Sequence, residues 1–462
     1  MNNYQLQRRD VLRGIAGAVA LAATGPVLAG CTVHAGSSET KSAGGSLKGT
    51  LQIAQWTNPP AVEVTKKISA LFERAHPGVT VQVRDAPNPN NAYGSLTSSL
   101  LASNSVDIIA QFPLTPSAFP PPYTGQKPAG FAALVTAGKL TDLTDEPFMK
   151  RFDRAQQSYA YGYRGRLYGL MAAQYPAYGG LFYKKDLLKK HDVAIPRTWD
   201  EFIAALDKLK SGGVTPIFVA AKDGYESYIW NGMLTQTLMA GHPASASATV
   251  GASLAKDFWT GKMTWDDPIY HQVADKYKAA MQYVEPSASG VSALTAAGTW
   301  AVQDDNYPFL VDGTFDAATI LKANPKLSLG FFTIPSSNDA AVNRVVLNPD
   351  LTWVVPTSAP HKELALAWLE FFSMPDNYRT WLAATGSNST EPAVSTDKVP
   401  WMDWLNAHGA DGCQTIPGPW VPAGAAPEAG GPVLSDMSPL GKVSIDDELK
   451  KAAKAYAKAR RQ

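Results

Sequence analysis

Short apolar runs with a two-residue period recur along this chain, and between them lie stretches with a helical period. That alternation restricts the fold more than any other feature. Leu51-Gln52-Ile53-Ala54-Gln55-Trp56 alternates as a strand does. Asn58-Pro59-Pro60 breaks it, after which Val64, Ile68, Leu71, Phe72 and Ala75 follow at helical spacing until Pro77-Gly78. Val79, Val81 and Val83 mark a second strand, and Val106-Asp107-Ile108-Ile109 begins a third. Strands separated by helices argue for an α/β sheet.

The pattern persists beyond the first third. Residues 113–130 hold six prolines and read as a long surface loop. Strand patterns return at Leu167-Tyr168-Gly169-Leu170 and Gly180-Leu181-Phe182-Tyr183. Thr198 with Glu201 three residues on predicts a capping box, with Trp199, Phe202, Leu206 and Leu209 as the apolar stripe of the helix. Val214–Ala221 reads as a buried strand, as do Phe309-Leu310-Val311, the run from Leu327 to Phe332, and Trp353-Val354-Val355. A helix is expected from about Pro360 to Met374, and another from the capping-box pair Ser444 and Asp447 to the basic C-terminus. A chain of 462 residues is too long for one ordinary core, which predicts two or three domains.

The first thirty residues read differently. Arg8, Arg9 and Arg13 precede an apolar stretch from Ile15 to Leu28, too short and too broken by Gly25-Pro26 to span a membrane, which takes about 20 apolar residues. Gln7-Arg8-Arg9-Asp10-Val11-Leu12-Arg13 resembles a twin-arginine signal, departing from it at Gln7 and Val11. Leu28-Ala29-Gly30-Cys31 resembles the lipobox of bacterial lipoproteins. The resemblance implies an export signal over 1–30, lipidation at Cys31, a tether over 31–46, and anchorage on the extracytoplasmic face of the bacterial cytoplasmic membrane.

Charge and chemistry remove several function classes. The 41 basic and 40 acidic residues leave no basic field for nucleic acid. Cys413 is the one thiol apart from Cys31, so no internal disulfide is expected. The seven histidines are scattered without metal-ligand spacing, and Gly-x-Ser-x-Gly, phosphate-loop and dinucleotide motifs are missing. No catalytic group, metal or cofactor is therefore expected. An exported glycoside hydrolase remains as an alternative, with Asp266-Asp267 and Asp304-Asp305 as its carboxylates, although neighbours on a strand point apart.

Several segments, in order over residues 50–380, resemble the extracellular solute-binding proteins of ABC importers, maltose/oligosaccharide-binding type. They are Phe72-Glu73-Arg74-Ala75-His76-Pro77-Gly78-Val79, Tyr168-Gly169-Leu170, Leu181-Phe182-Tyr183-Lys184-Lys185-Asp186-Leu187, and Ile195-Pro196-Arg197-Thr198-Trp199-Asp200-Glu201. Val311-Asp312-Gly313-Thr314-Phe315 stands where the family has Asn-Gly-x-Trp, and Pro360-His361-Lys362-Glu363-Leu364-Ala365 resembles its late helix. The resemblance implies a two-lobed periplasmic-binding-protein-like α/β fold, with hinge strands and a ligand cleft between the lobes. The lobes would be 47–174 with 305–350, and 175–304 with 351–462. It also implies a monomeric receptor that closes on a sugar or oligosaccharide and delivers it to ABC permease subunits, touching the membrane through its lipid anchor only. A glycerophosphodiester or other polyol derivative is the alternative ligand.

A sugar needs flat rings for its C–H faces and polar partners for its hydroxyls. Such pairs at strand ends are the candidate contacts: Trp56 and Asn58, Gln111, Tyr175 and Tyr178, Asp312 and Phe315, Trp353 and Asn388. Glu226, Tyr228, Trp230 and Asn231 form the densest cluster and resemble an acidic-aromatic segment that meets sugar in maltose-type binders.

Overall fold

The computed structural model describes residues 47–87, 92–114, 118–303, 305–395, 400–416 and 418–461. The signal, Cys31 and the tether lie outside them. The elements that frame the site are β1 (Gly49–Trp56), α1 (Pro59–Ala75), β2 (Val79–Ala86), β3 (Ile108–Gln111), β4 (Leu170–Met171), β5 (Gln174–Tyr175) and β6 (Gly180–Lys184). They continue with α2 (Trp199–Ser211), β7 (Ile217–Val219), α3 (Ser227–Leu238), α4 (Pro268–Met281), α5 (Ala293–Ala301), β8 (Phe309–Val311) and β9 (Leu329–Thr333). The last are β10 (Val346–Pro349), β11 (Thr352–Val354), α6 (Lys362–Phe372), β12 (Cys413–Gln414) and α7 (Ile445–Ala459).

Two sheets anchor the two lobes. The first runs β2-β1-β3-β11-β4, the second β9-β6-β8-β7. In the first, β1 is parallel to β2 and β3, while β11 runs antiparallel to β3 and β4. In the second, β8 is parallel to β7 and antiparallel to β6.

Strand alternation explains why both sheets are covered on both sides. Leu51 and Ile53 pack with Ile68 and Phe72 of α1, while Ala54, Ile109 and Val354 face a second cluster with Tyr93 and Tyr161. In the other sheet Leu181, Val219 and Val311 join the main core, and Phe182, Phe218 and Leu310 pack against Trp300 of α5.

The N-cap half of the expected capping box at α2 is present, Thr198 Oγ1 accepting from Glu201 N, while Glu201 Oε2 accepts from Arg197 N, one residue before the cap. The late helices also fall close to their expected places, as α6 and α7. The expected strand Val214–Ala221 shrinks to β7, because the chain turns out of the sheet after Val219.

The expected lobe boundaries need correction. β8 and β9, placed by the sequence reading in the first lobe with 305–350, pair with β6 and β7 in the second sheet. β11, assigned to the second lobe with 351–462, pairs with β3 and β4 in the first. Order along the chain does not determine which sheet a strand joins when the chain crosses between lobes more than once.

The crossings are short. The chain leaves the first sheet through β4 and β5 and returns through β10 and β11. Asn348 pairs with Tyr175 and Pro349 with Gln174, and Ala172 N donates to Leu351 O at 2.9 Å. A third segment crosses at Asn388, whose backbone N donates to Gln174 O at 2.9 Å.

Candidate functional site

The crossing strands leave each sheet at one edge, and that edge carries the C-terminal ends of the parallel strands. Gln111 at the end of β3 lies level with Thr352 and Met171. In the second sheet Gly180, where β6 begins, lies level with Thr333, and Leu181 with Val311. Strand ends from both sheets thus face the crossing, the usual location of ligand crevices in open α/β sheets.

On the first lobe's side, Trp56 is half-buried and stacks on Phe112, with ring centroids 4.5 Å apart and planes 11° from parallel. Tyr93 meets Trp56 edge-on at 5.9 Å, and its hydroxyl donates to Ala54 O and Ala110 O, which locks the stack to the sheet. Gln111 is half-buried beside Phe112. Asn58 is the N-cap of α1, its side-chain oxygen accepting from Ala61 N at 3.1 Å. Gln55, absent from the sequence candidates, is fully buried at the end of β1, with neither amide atom hydrogen-bonded among the described residues.

The floor is made by the crossing strands. Tyr175 of β5 is buried, meets Phe315 edge-on at 5.5 Å, and hydrogen-bonds towards Ser387 and Thr385. Tyr178 follows, its backbone N donating to Asn348 Oδ1 at 3.1 Å. Between β10 and β11 sits Asp350, its backbone N held by Ala173 O at 3.0 Å. The Asp350 side chain is half-buried, and no hydrogen bond or ion pair to its carboxylate is found among the described residues. Desolvation pushes its pKa up to about 7. The same carboxylate raises both neighbouring phenols, Tyr178 to about 12 and Tyr175 further, after the larger effect of their own burial. One acid therefore lies within electrostatic reach of two aromatic rings, and no cation lowers its pKa.

On the second lobe's side, α3 brings Tyr228 to 5.4 Å from Tyr178, and Tyr225 stacks on Tyr228 at 4.7 Å and 20°. Glycine makes this approach feasible. A Cβ on Gly232 would lie 2.4 Å from the Gly179 backbone, and Gly179 has φ +76°. Gly179 N donates to Tyr228 O at 2.7 Å across the contact. Asn231 is half-buried on the same helix.

Acids next to this wall turn inward. Glu226, at the N-cap of α3, is fully buried, with neither carboxylate oxygen hydrogen-bonded among the described residues, and desolvation lifts its pKa to about 7. Asp312 is also fully buried; its Oδ1 accepts from Gly313 N at 2.7 Å. Burial, then the adjacent Asp316, holds its carboxyl well above the usual range, and Asp316 itself is raised to about 6. Asp312 thus sits buried at the end of β8, one carboxylate oxygen held by the Gly313 amide and Asp316 beside it.

Two expected contacts are corrected. Trp353 is fully buried in the first lobe, packed at 5.5 Å on Trp368 and 5.9 Å on Phe372, because the inward face of a central strand carries it into the core. Trp230 lies edge-on to Tyr277 of α4 at 6.2 Å and is almost fully buried, since the α3 face opposite Tyr228 and Gly232 packs inside the lobe. Asn388 is half-buried beside the floor, its Oδ1 without a partner among the described residues.

The structure thus sets Tyr175, Tyr178, Tyr228, Phe315 and Asn388 about the crossing together with Asn348 and Asp350, while Trp56, Gln111 and Gln55 stand at strand ends of the first lobe. The signal for Asn348 and Asp350 was present in Asn348-Pro349-Asp350, a polar break between apolar strand runs. Rings next to hydrogen-bond acceptors suit a polar molecule with apolar faces. Among the described residues, no group of three His, Cys, Asp or Glu is placed to hold a metal.

Residues 67–408 match the family described as bacterial extracellular solute-binding protein. The melibiose/raffinose/stachyose-binding protein MelE of Bacillus subtilis is 22% identical over 379 residues, 80% of either chain. The multiple sugar-binding protein of Streptococcus mutans is 22% identical over 339 residues, 72% of this chain and 73% of its own. The solute-binding protein RafE in complex with raffinose has the same fold, with a TM-score of 0.63 at 18% identity over 79% of this chain and 90% of that one.

Proposed function

The chain belongs to the bacterial extracellular solute-binding protein family, and from that premise we propose that it is the receptor of an ABC importer that captures a sugar or oligosaccharide. The family is one of binding proteins rather than enzymes and works outside the cytoplasm. Ligand enters between the lobes, the lobes close about the crossing strands, and the closed form is presented to a permease, with the ligand chemically unaltered. Only the closed form touches ligand from both sides, so ligand shifts an existing equilibrium toward it.

The observation that carries this reading is Asp350. A desolvated carboxylate beside Tyr175 and Tyr178, with no counter-charge, offers strong acceptors to hydroxyl donors while the rings cover apolar C–H faces. A phosphodiester would meet repulsion there, and no Arg or Lys is found hydrogen-bonded to the floor among the described residues.

The test is a melting screen of the purified chain against raffinose, stachyose, chitin oligosaccharides and a glycerophosphodiester. A sugar that raises the melting temperature in wild type but not in Asp350→Asn supports the reading. A response to the phosphodiester alone rejects the sugar assignment, and release of hydrolysed product rejects the receptor.

Lipid anchorage at Cys31 and a monomeric state complete the proposal. Among the described residues no helix is long and apolar enough to cross a membrane. Mass spectrometry of the membrane fraction should find a diacylglyceryl Cys31 as first residue, with Cys31→Ser chain released, and light scattering should give the monomer mass.

A further inference from the structure

The crossing strands have two faces, and only one of them belongs to the site. Gln174 and Tyr175 are successive residues of β5, so their side chains leave it on opposite sides. Tyr175 pairs with Asn348 and turns to the floor, while Gln174 pairs with Pro349 and turns behind it. There the Gln174 carboxamide is held from two directions. Its Nε2 donates to Gln156 Oε1 at 3.3 Å, and its Oε1 accepts from Gln414 Nε2 at 3.0 Å. One turn along from Gln156, on the helix Arg154–Tyr161, the buried Tyr159 donates its hydroxyl proton to Thr415 O.

These bonds join the two lobes. The helix Arg154–Tyr161 belongs to the first: Gln157 Nε2 donates to Met171 O at 3.0 Å, Met171 N donates to Gln157 Oε1 at 2.8 Å, and Tyr161 packs with Ala54 and Ile109. Residues 413–416 belong to the second. Thr415 N donates to Leu347 O at 3.0 Å, Leu347 packs with Phe182 and Phe218, and Ile416 N donates to Thr235 Oγ1 of α3 at 3.3 Å. We propose that Gln156, Tyr159, Gln174 and Gln414 form a clasp behind the hinge that holds the lobes apart and thereby sets the affinity of the site. The clasp deepens the receptor reading above and rests on it. Lobes that pivot on the crossing strands cannot close on the Tyr175 face without parting on the opposite one. Closure therefore separates Tyr159 from Thr415 and pulls on the bond between Gln174 and Gln414. The unliganded protein favours the open form by the strength of these bonds, and a small closed fraction weakens the apparent affinity in proportion. All four are positioning residues, set on the far side of the strands from the ligand.

The experiment uses the full chain with Tyr159→Phe, Gln414→Leu, both together, and Tyr283→Phe, which removes an exposed hydroxyl bond to Asp207 as a control. Unliganded proteins are compared by small-angle scattering, and all are titrated with the sugar found in the melting screen. The unliganded double variant should have a smaller radius of gyration than wild type. The Kd should fall about fivefold in Tyr159→Phe and further in the double variant, with Tyr283→Phe within about twofold of wild type. Tighter binding after the loss of hydrogen bonds is a result that a merely structural role cannot give, because a loosened fold binds more weakly. An unchanged radius of gyration in the double variant overturns the proposal. So does a Kd that stays level or rises in Tyr159→Phe, a variant that keeps its ring in the core and so tests the clasp even where Gln414→Leu fails to fold. A wild type that binds no sugar removes the receptor reading instead, while the scattering comparison, made without ligand, still decides the clasp.

Discussion

Asp350 keeps its proton to higher pH than an ordinary aspartate because it is desolvated beside two phenol rings with no cation to offset the cost. Ligand hydroxyls donate to the charged form, so binding lowers the pKa of Asp350, and by linkage affinity must rise with pH through about 7 and level off above it. Titration calorimetry at pH 6 and 8 should show tighter binding at pH 8. Asp350→Asn should remove that dependence and weaken binding at pH 8 by about 1.5–3 kcal/mol, the usual worth of a hydrogen bond to a charged group. Glu226 gives a stability signature instead. Its folded pKa, about 7, lies above the ordinary glutamate value of 4.5, so the stabilisation by its neutral form is complete below the unfolded pKa and is lost as pH rises through 7. Glu226→Gln cannot ionise. The melting temperature of the variant minus that of wild type should be larger at pH 9 than at pH 5, and an equal difference at both would mean that Glu226 is not neutral in the fold.

The element that shapes the site is α3, and what seats it is the absence of side chains. Gly232 lies against Gly179 so closely that a single methyl group cannot fit. Gly232→Ala should cost about 1–3 kcal/mol in urea unfolding, the range for overpacking a well-packed contact. It should also weaken sugar binding, because lifting α3 draws Tyr228 from Tyr178. Unchanged affinity in a destabilised variant would separate the tyrosine pair from the ligand. The same helix explains the error over Trp230. An acidic-aromatic cluster reads as one binding feature in sequence, but a helix sends successive residues to different faces, so Tyr228 turns to the crossing and Trp230 to the core.

At the scale of the molecule, three short crossings among the described residues connect two sheets that are each buried on both faces, so the soft coordinate is the angle between lobes. Small-angle scattering should show a smaller radius of gyration when the sugar saturates the protein, and no change with a sugar that leaves the melting temperature unmoved. Ligand at about one hundred times its Kd should add about 2.7 kcal/mol to stability.

The sequence by itself determined the element types, because strand and helix periodicity, proline breaks and the Thr198 capping box are local. It determined the family as well, since the motifs around Tyr168, Leu181 and Ile195 stand in a fixed order. Trp56, Tyr175, Tyr178, Tyr228 and Phe315 were legible as aromatic residues at strand or helix ends. Only the tertiary structure decided which sheet β8, β9 and β11 join, since a chain that crosses between lobes carries no local mark of the side on which a strand will pair. It alone showed that Trp353 and Trp230 face inward, and that Asp350 is the acid left desolvated beside two rings. Burial and unpaired charge belong to the packed molecule, and a residue's neighbours in sequence do not reveal them.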